Sequence, residues 1–215
     1  KSLDENGFEK AEIWQGEGGY PSWAYEGHWL VPNGTDSERA QAVWQLRRYF
    51  IDVSLGLKRS SFFQMADMWE KAYDKAEETI KKPAAHGILN GITYTPKLSY
   101  TTIRHLSTIF SGDILPTDEY MTVDINSRTP LELSAVQTTT FKKNESRLYA
   151  YWLPTSVADE KPIEYMASVC IEPMKNPVLI DMLTGEVFEI EEKKEWGGLV
   201  EYKNLPLTNY PLVLA

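Results

Sequence analysis

Glu17, a glutamate set among glycines, has the surroundings in this sequence that most favour chemistry. It follows Ile13 and Trp14, which are typical of a β-strand, and belongs to the run Gly-Glu-Gly-Gly at residues 16–19. Because glycine has no side chain, a bulky ligand can approach the carboxylate closely and the backbone can turn sharply. The pattern predicts a fixed carboxylate at a strand end, suited to making bonds. A glycine-rich turn with a solvated glutamate has the same pattern.

Aromatic residues follow this loop at once and indicate what the carboxylate would act on. Flat rings stack on the C–H faces of a sugar, while neighbouring polar groups bind its hydroxyls. The candidate stacking residues are Tyr20, Trp23 and Trp29, and His28 is a candidate hydrogen-bonding residue. Two alternatives stay open, since the rings could instead anchor the loop to the fold and His28 could be incidental.

The elements that must position this loop begin with a strand–helix–strand unit. Thr35 and Glu38 have the spacing of a capping box, and apolar residues then recur at helical intervals, so we predict a helix over residues 35–56. Residues 60–68 are typical of a parallel strand that is covered on both faces. An irregular connection over 69–95, with a helical piece that runs through Ile80 and ends near Pro83, leads to a second helix over 96–112.

From about residue 120 the sequence changes to short alternating segments separated by turn residues, which is typical of an antiparallel sandwich. We therefore predict two domains, 1–115 and 116–215. The candidate strands of the second are residues 121–125, 131–141, 147–153, 165–171, 177–181, 187–191, 199–202 and 212–214. Residues 189–195 are expected to form a solvated hairpin end.

Composition limits the partners. The formal net charge of −9 repels phosphate backbones and anionic lipid surfaces, so neither nucleic acid nor membrane is expected as a partner. The histidines share no ligand spacing, so we expect no metal and no cofactor. The single cysteine, Cys170, is flanked by apolar residues and is expected to be a buried structural thiol.

In the order of these features the chain resembles the carboxyl-terminal part of a clan A glycoside hydrolase. The resemblance rests on residues 14–18 (Trp-Gln-Gly-Glu-Gly), 61–64 (Ser-Phe-Phe-Gln), 96–100 (Pro-Lys-Leu-Ser-Tyr) and the closing segment 205–212. It implies a fold that is α/β plus all-β, in which the last strands and helices of a (β/α)8 barrel precede an antiparallel β-sandwich. It also implies that Glu17 is the nucleophile of a retaining glycosidase.

The same resemblance places further residues and a class of partner. Chemistry gathers at the carboxyl ends of barrel strands, where Gln64 and Asp67 would contact substrate beside Glu17. Asp67 could instead be the N-cap of the segment that follows it. An oligosaccharide or polysaccharide is the implied partner, and a secreted or periplasmic bacterial protein is a compatible context.

The sequence departs from this family because it supplies no acid/base glutamate from an earlier strand. Two strands cannot close a barrel whose geometry needs eight. We therefore expect either a piece of a longer polypeptide, completed by a missing amino-terminal half, or a half-barrel homodimer. A noncatalytic carbohydrate-binding or scaffold protein is the alternative outside the enzyme class.

Overall fold

The computed structural model describes residues 3–22, 37–71, 80–126, 135–157 and 165–215. The first half contains a short 3-10 helix Asp4–Asn6, β1 (Trp14–Gln15), α1 (Glu38–Ser54), β2 (Arg59–Ser60), β3 (Met68–Lys71), β4 (Ile80–Ala84) and α2 (Leu98–Ile109). The second half contains β5 (Ile114–Thr117), β6 (Met121–Ile125), β7 (Gln137–Lys143), β8 (Ser146–Trp152), β9 (Tyr165–Ile171), β10 (Val178–Asp181), β11 (Val187–Glu189), β12 (Lys193–Trp196), β13 (Leu199–Leu207) and β14 (Leu212–Leu214). The described chain is thus a mixed, β-rich fold with two α-helices.

β1 and β2 form a parallel pair, with α1 as the connection between them. The pairing extends beyond the strands, because the Lys58 amide donates to the Ile13 carbonyl at 3.0 Å and the Phe63 amide donates to the Gly18 carbonyl at 2.7 Å. The prediction of a strand over 60–68 that is covered on both faces is wrong: a parallel strand does follow the first helix, but it consists of Arg59–Ser60, residues 61–67 belong to no strand, and none of residues 59–68 is buried.

Both predicted helices are present. The start of α1 differs from the expected capping box, because Ser37 is its N-cap and the Ser37 hydroxyl accepts from the Ala40 amide at 2.9 Å. Glu38 is therefore the first residue of the helix, and the prediction of Thr35 as the cap is wrong; Thr35 itself lies outside the described residues.

The connection between the helices contains an antiparallel pair, β3 with β4, where we predicted a helical piece. That prediction is wrong for residues 69–71 and 80, which are strand, and residues 72–79 lie outside the described ranges.

Two antiparallel sheets make up the second half. A six-stranded sheet has the order β11-β10-β14-β8-β7-β5, and a four-stranded sheet has the order β12-β13-β9-β6. Strands β6, β9 and β14 have the predicted bounds. The start of the predicted strand over 131–141 lies outside the described residues, and β5 and β12 were not predicted. The Tyr151 hydroxyl of β8 donates to the Pro206 carbonyl of β13 at 3.0 Å, which joins the two sheets.

One hydrophobic core is shared by the helices and the sheets. The Phe50 ring of α1 lies 5.0 Å from the ring of Phe110, which follows α2, and 6.0 Å from the ring of Phe141 in β7. The predicted boundary between residues 115 and 116 falls inside β5, which pairs with β7. Division of the chain into two domains stays a prediction.

Cys170 lies in β9 and is buried as predicted, and burial raises the pKa of its thiol. No helix among the described residues is both long and apolar enough to cross a bilayer. The described ranges also contain no group of three His, Cys, Asp or Glu side chains placed to hold a metal ion.

Buried phenols should make the fold sensitive to alkali. Burial raises the pKa of Tyr49 to about 12 and is the main reason that the pKa values of Tyr149 and Tyr151 are raised. Since the folded state favours the neutral phenol, this contribution to stability is complete below the unfolded pKa of about 10. It is lost as the pH rises through the folded values, so we expect cooperative alkaline unfolding.

The measurement is tyrosinate absorbance together with circular dichroism during a pH titration. Tyr49→Phe removes one of these ionisations and should move the unfolding midpoint to higher pH. Ionisation of every tyrosine near pH 10, with an unchanged circular dichroism spectrum, would show that these phenols are not protected by the fold.

Candidate active site at the end of the parallel strands

Glu17 lies in the loop that follows β1, and its side chain is exposed to solvent. The loop is held against the segment that follows β2 on both sides of Glu17, because the Ser61 amide donates to the Gln15 carbonyl at 3.2 Å and the Phe63 amide donates to the Gly18 carbonyl. The prediction that Glu17 directly follows the carboxyl end of a parallel strand is confirmed. A carboxylate in this position has a fixed backbone and free access to solvent.

The three glycines around Glu17 have different roles. An added Cβ at Gly16 would meet nothing within 4 Å, in keeping with the open approach that the sequence predicts. At Gly18 it would meet the Gln15 side chain, and at Gly19 it would overlap the Phe63 carbonyl oxygen. Gly19 is therefore needed for close packing of the loop against its own fold, a role that the sequence analysis did not assign to it, whereas the Gln15 side chain could shift away from a Cβ at Gly18.

Tyr20 anchors the loop to α1. Its ring lies 5.4 Å from the Trp44 ring at a tilt of 39°, and its carbonyl accepts a hydrogen bond from Gln41 Nε2 at 2.8 Å. The anchoring alternative is therefore observed for Tyr20, and sugar stacking by this ring stays a prediction. The other predicted cleft residues, Trp23, His28 and Trp29, lie outside the described residues.

Gln64 lies beside the Glu17 loop, directly after Phe63. Its backbone amide donates to the His86 carbonyl at 3.3 Å, and its backbone carbonyl accepts from the Ile88 amide at 3.0 Å. The side-chain Nε2 of Gln64 is buried and has no hydrogen-bond partner among the described residues. A buried donor without a partner costs free energy, so this amide is available to a ligand that could accept from it.

Asp67 is part of a buried ion pair. Its Oδ1 accepts from Lys97 Nζ at 2.6 Å and from the Gly87 amide at 2.9 Å, and the side chains of Lys97 and Asp67 are only 4% and 7% exposed. The N-cap alternative for Asp67 is wrong, because strand β3 and not a helix follows it. Contact of Asp67 with substrate stays a prediction.

Sequence reasoning missed two residues that organise this region, Lys97 and Gln41. Gln41 is fully buried; its Nε2 donates to the carbonyls of Tyr20 and Gly87, and its Oε1 accepts from the Ser99 hydroxyl at 3.0 Å. One signal for Lys97 was available in the sequence, because it stands at the start of the predicted second helix; in the structure it is the N-cap of α2. A cation at a helix amino terminus opposes the helix dipole and so requires another explanation.

A second buried carboxylate, Asp52, joins α1 to β2. Its Oδ1 accepts from Arg48 Nε at 2.7 Å and its Oδ2 accepts from the Ser60 hydroxyl at 2.7 Å. The hydrogen bond to Asp52 is the main cause that raises the pKa of the Arg48 guanidinium. Asp52 thus fixes the helix to the strand that pairs with β1.

Three concave sites of the described chain lie away from Glu17. A cavity of about 390 Å³ lies between the ends of both helices and β5, one of about 480 Å³ lies at the β5–β6 connection, and one of about 280 Å³ lies between β11 and β13. Glu17 lines none of these three.

The packing of Gly19 generates a direct test. Gly19→Ala should destabilise the fold by about 1–3 kcal/mol, because the new methyl group overlaps a backbone carbonyl that cannot rotate away. Gly16→Ala is the matched control, since open space surrounds that position. Thermal denaturation of both variants is the measurement, and equal midpoints would contradict the assigned packing.

The similarities to known proteins are few. No family model matches the sequence. DNA mismatch repair protein MutS from Clostridium novyi (strain NT) is 26% identical over 170 residues, which is 73% of this chain and 17% of that protein. A rhamnosidase from Novosphingobium sp. PP1Y matches 52% of this chain and 9% of its own at 11% identity, with a TM-score of 0.32 that is too low to support an argument.

The fold is similar to that of a solved glycoside hydrolase. The family 30 subfamily 8 xylanase Xyn30A from Clostridium acetobutylicum matches over 100% of this chain and 44% of its own, with a TM-score of 0.51 and 12% identity. This chain thus spans less than half of the length of that enzyme, as it spans less than a fifth of the MutS protein. At this identity the similarity concerns the fold alone.

Proposed function

We propose that this chain is the carboxyl-terminal part of a retaining glycoside hydrolase of clan A type, with Glu17 as the nucleophile. The observation that carries the proposal is the position of Glu17, an exposed carboxylate held just beyond the carboxyl end of a parallel strand pair. The fold similarity to a xylanase over the whole chain supports it. In this proposal β1 and β2 are the last two strands of a (β/α)8 barrel and the antiparallel sheets are its β-sandwich.

The proposed chemistry uses two carboxyl groups. The ionised carboxylate attacks the anomeric carbon of the sugar, while a protonated carboxyl about 5–5.5 Å away donates its proton to the departing oxygen. Glu17 suits the first role. Asp67 does not suit the second, because it is bound to Lys97 and Gly87. The proton donor then comes from another part of a longer polypeptide or from a second copy.

The open edge of β1 supports completion by further strands. Within the described residues β1 pairs only with β2. An exposed strand edge is a template for pairing with another strand. We propose the amino-terminal part of the same barrel as that partner, and a symmetric second copy as the alternative.

The proposed substrate is a neutral or weakly charged oligosaccharide or polysaccharide. Tyr20 and the buried Nε2 of Gln64 lie in the segments next to Glu17 and would contact the substrate. Because the fold is similar to that of the xylanase named above, neutral xylo-oligosaccharides are the first probe to test. Similarity to a protein described as a mismatch repair protein does not lead us to propose DNA binding, because the net charge of −9 repels phosphate.

A noncatalytic carbohydrate-binding or scaffold protein is the second candidate. It is favoured by the commitment of Asp67 to an ion pair. Both candidates bind a glycan, and only the first forms a covalent bond to it.

A dinitrophenyl 2-deoxy-2-fluoroxyloside tests the nucleophile without a proton donor. The dinitrophenolate departs with the bonding electron pair and needs no proton, while Glu17 forms the new bond to the anomeric carbon. We expect slow release of one equivalent of dinitrophenolate and one fluoroxylosyl group on Glu17 by peptide mass spectrometry. The chain alone should show no sustained hydrolysis of an aryl xyloside, because the acid/base is missing.

Glu17→Gln should abolish labelling, whereas Glu9→Gln, at an exposed carboxylate in the same segment, should label like the unmodified chain. A label on another carboxylate would contradict the assignment. Binding of xylo-oligosaccharide without any label would favour the noncatalytic candidate. Robust turnover that is lost in Glu17→Gln would show that the chain already contains its acid.

A further inference from the structure

The ammonium group of Lys97 is surrounded by three chain segments. Lys97 Nζ donates to Asp67 Oδ1 at 2.6 Å, to the Ser22 hydroxyl at 2.8 Å and to the Ala85 carbonyl at 3.5 Å. A lysine ammonium has three donors, so these acceptors can use all of them. Burial of a charge is costly unless it is paired and hydrogen-bonded, and both conditions are met here.

The segment that includes Ser22 also carries Glu17. The Ser22 amide donates to the Ala85 carbonyl at 2.9 Å, and the Ser22 hydroxyl donates to the same oxygen at 3.3 Å. At the other end of this segment the Phe63 amide holds the Gly18 carbonyl. Residues 18–22 are therefore fixed at both ends, and Lys97 supplies the charged contact at the end away from Glu17.

Gln41 supports the same segment from α1. It binds the Tyr20 carbonyl, the Gly87 carbonyl next to the ion pair, and the Ser99 hydroxyl in the first turn of α2. The ion pair and Gln41 thus connect the Glu17 loop with both helices and with residues 85–87. Gly87 permits this close approach, since an added Cβ there would overlap the Asp67 amide nitrogen.

We infer that Lys97 is a positioning residue for the Glu17 loop. It acts through its hydrogen bond to Ser22, and Asp67 keeps its charge compensated. The effect of Lys97 on catalysis rests on the proposed function, whereas its effect on the loop can be measured without any sugar.

Stability alone does not account for this arrangement. A buried ion pair is often replaced by uncharged residues without loss of stability, whereas removal of one partner leaves a costly unpaired charge. The double variant Lys97→Met with Asp67→Asn removes both charges and leaves an amide oxygen that can still accept from the Gly87 amide. Ser22→Ala removes the contact between the lysine and the loop, together with the 3.3 Å hydrogen bond from the Ser22 hydroxyl to the Ala85 carbonyl, and leaves the ion pair and the Ser22 backbone hydrogen bond in place.

Hydrogen–deuterium exchange of the full chain, read by peptide mass spectrometry, is the test. We expect both variants to speed exchange in residues 16–22 about tenfold or more, the size expected for loss of a charged hydrogen bond. Peptides from β8 and β9 should be unchanged. The control is Lys203→Met, which removes a surface lysine whose Nζ lies 3.8 Å from Glu201 Oε2, and it should leave residues 16–22 as they are.

Unchanged exchange at residues 16–22 in Ser22→Ala would overturn the positioning role, even if the double variant fails to fold. Faster exchange throughout the chain would show that the contact acts on global stability alone. The labelling rate of Glu17 by the fluoroxyloside should fall in both variants. If exchange rises locally but the unmodified chain is never labelled, the positioning role stands and the proposed function fails.

Discussion

The buried ion pair between Lys97 and Asp67 is the contact on which the candidate site depends. It joins the amino-terminal end of α2 to the segment after β2, and through Ser22 it reaches the loop that carries Glu17. Loss of either partner alone would leave an unpaired buried charge, which is costly. A loop rich in glycine, which would otherwise have many conformations, is thereby restrained at the end away from Glu17.

The helices that support this loop also pack against the antiparallel sheets. Phe50 and Phe110 pack on Phe141 of β7, while the Arg47 side chain donates to the Asn209 carbonyl at 2.6 Å and to the Thr155 carbonyl at 2.7 Å. Burial, with the nearby Arg39 charge as a second cause, lowers the pKa of Arg47 to about 10. The same α1 thus contacts the parallel strands through Asp52 and the sheets through its aromatic and arginine side chains. Helix α1, before the predicted boundary between residues 115 and 116, thus packs on residues that lie after it.

Local sequence patterns predicted the features that depend on local chemistry. Helical periodicity placed both helices, alternation placed most of the antiparallel strands, and glycine around Glu17 marked the strand end correctly. The rest depends on contacts between distant residues, which one sequence does not display. Lys97 meets Asp67 only in the fold, and Gly19 is required because Phe63 lies against it. The strands β5 and β12 are short and largely exposed, so they lack the apolar alternation by which a strand is recognised.

A titration of the isotopically labelled chain with neutral xylo-oligosaccharide, followed by nuclear magnetic resonance, would show directly whether a glycan binds at the end of the parallel strands. A glycan site at the end of the parallel strands predicts that the amide signals of residues 16–20 and of Gln64 shift together and saturate. Signals of the exposed strand β12 should stay unchanged and serve as the internal reference. Saturable shifts confined to the antiparallel sheets, or no shift at residues 16–20 with any neutral glycan, would contradict the account.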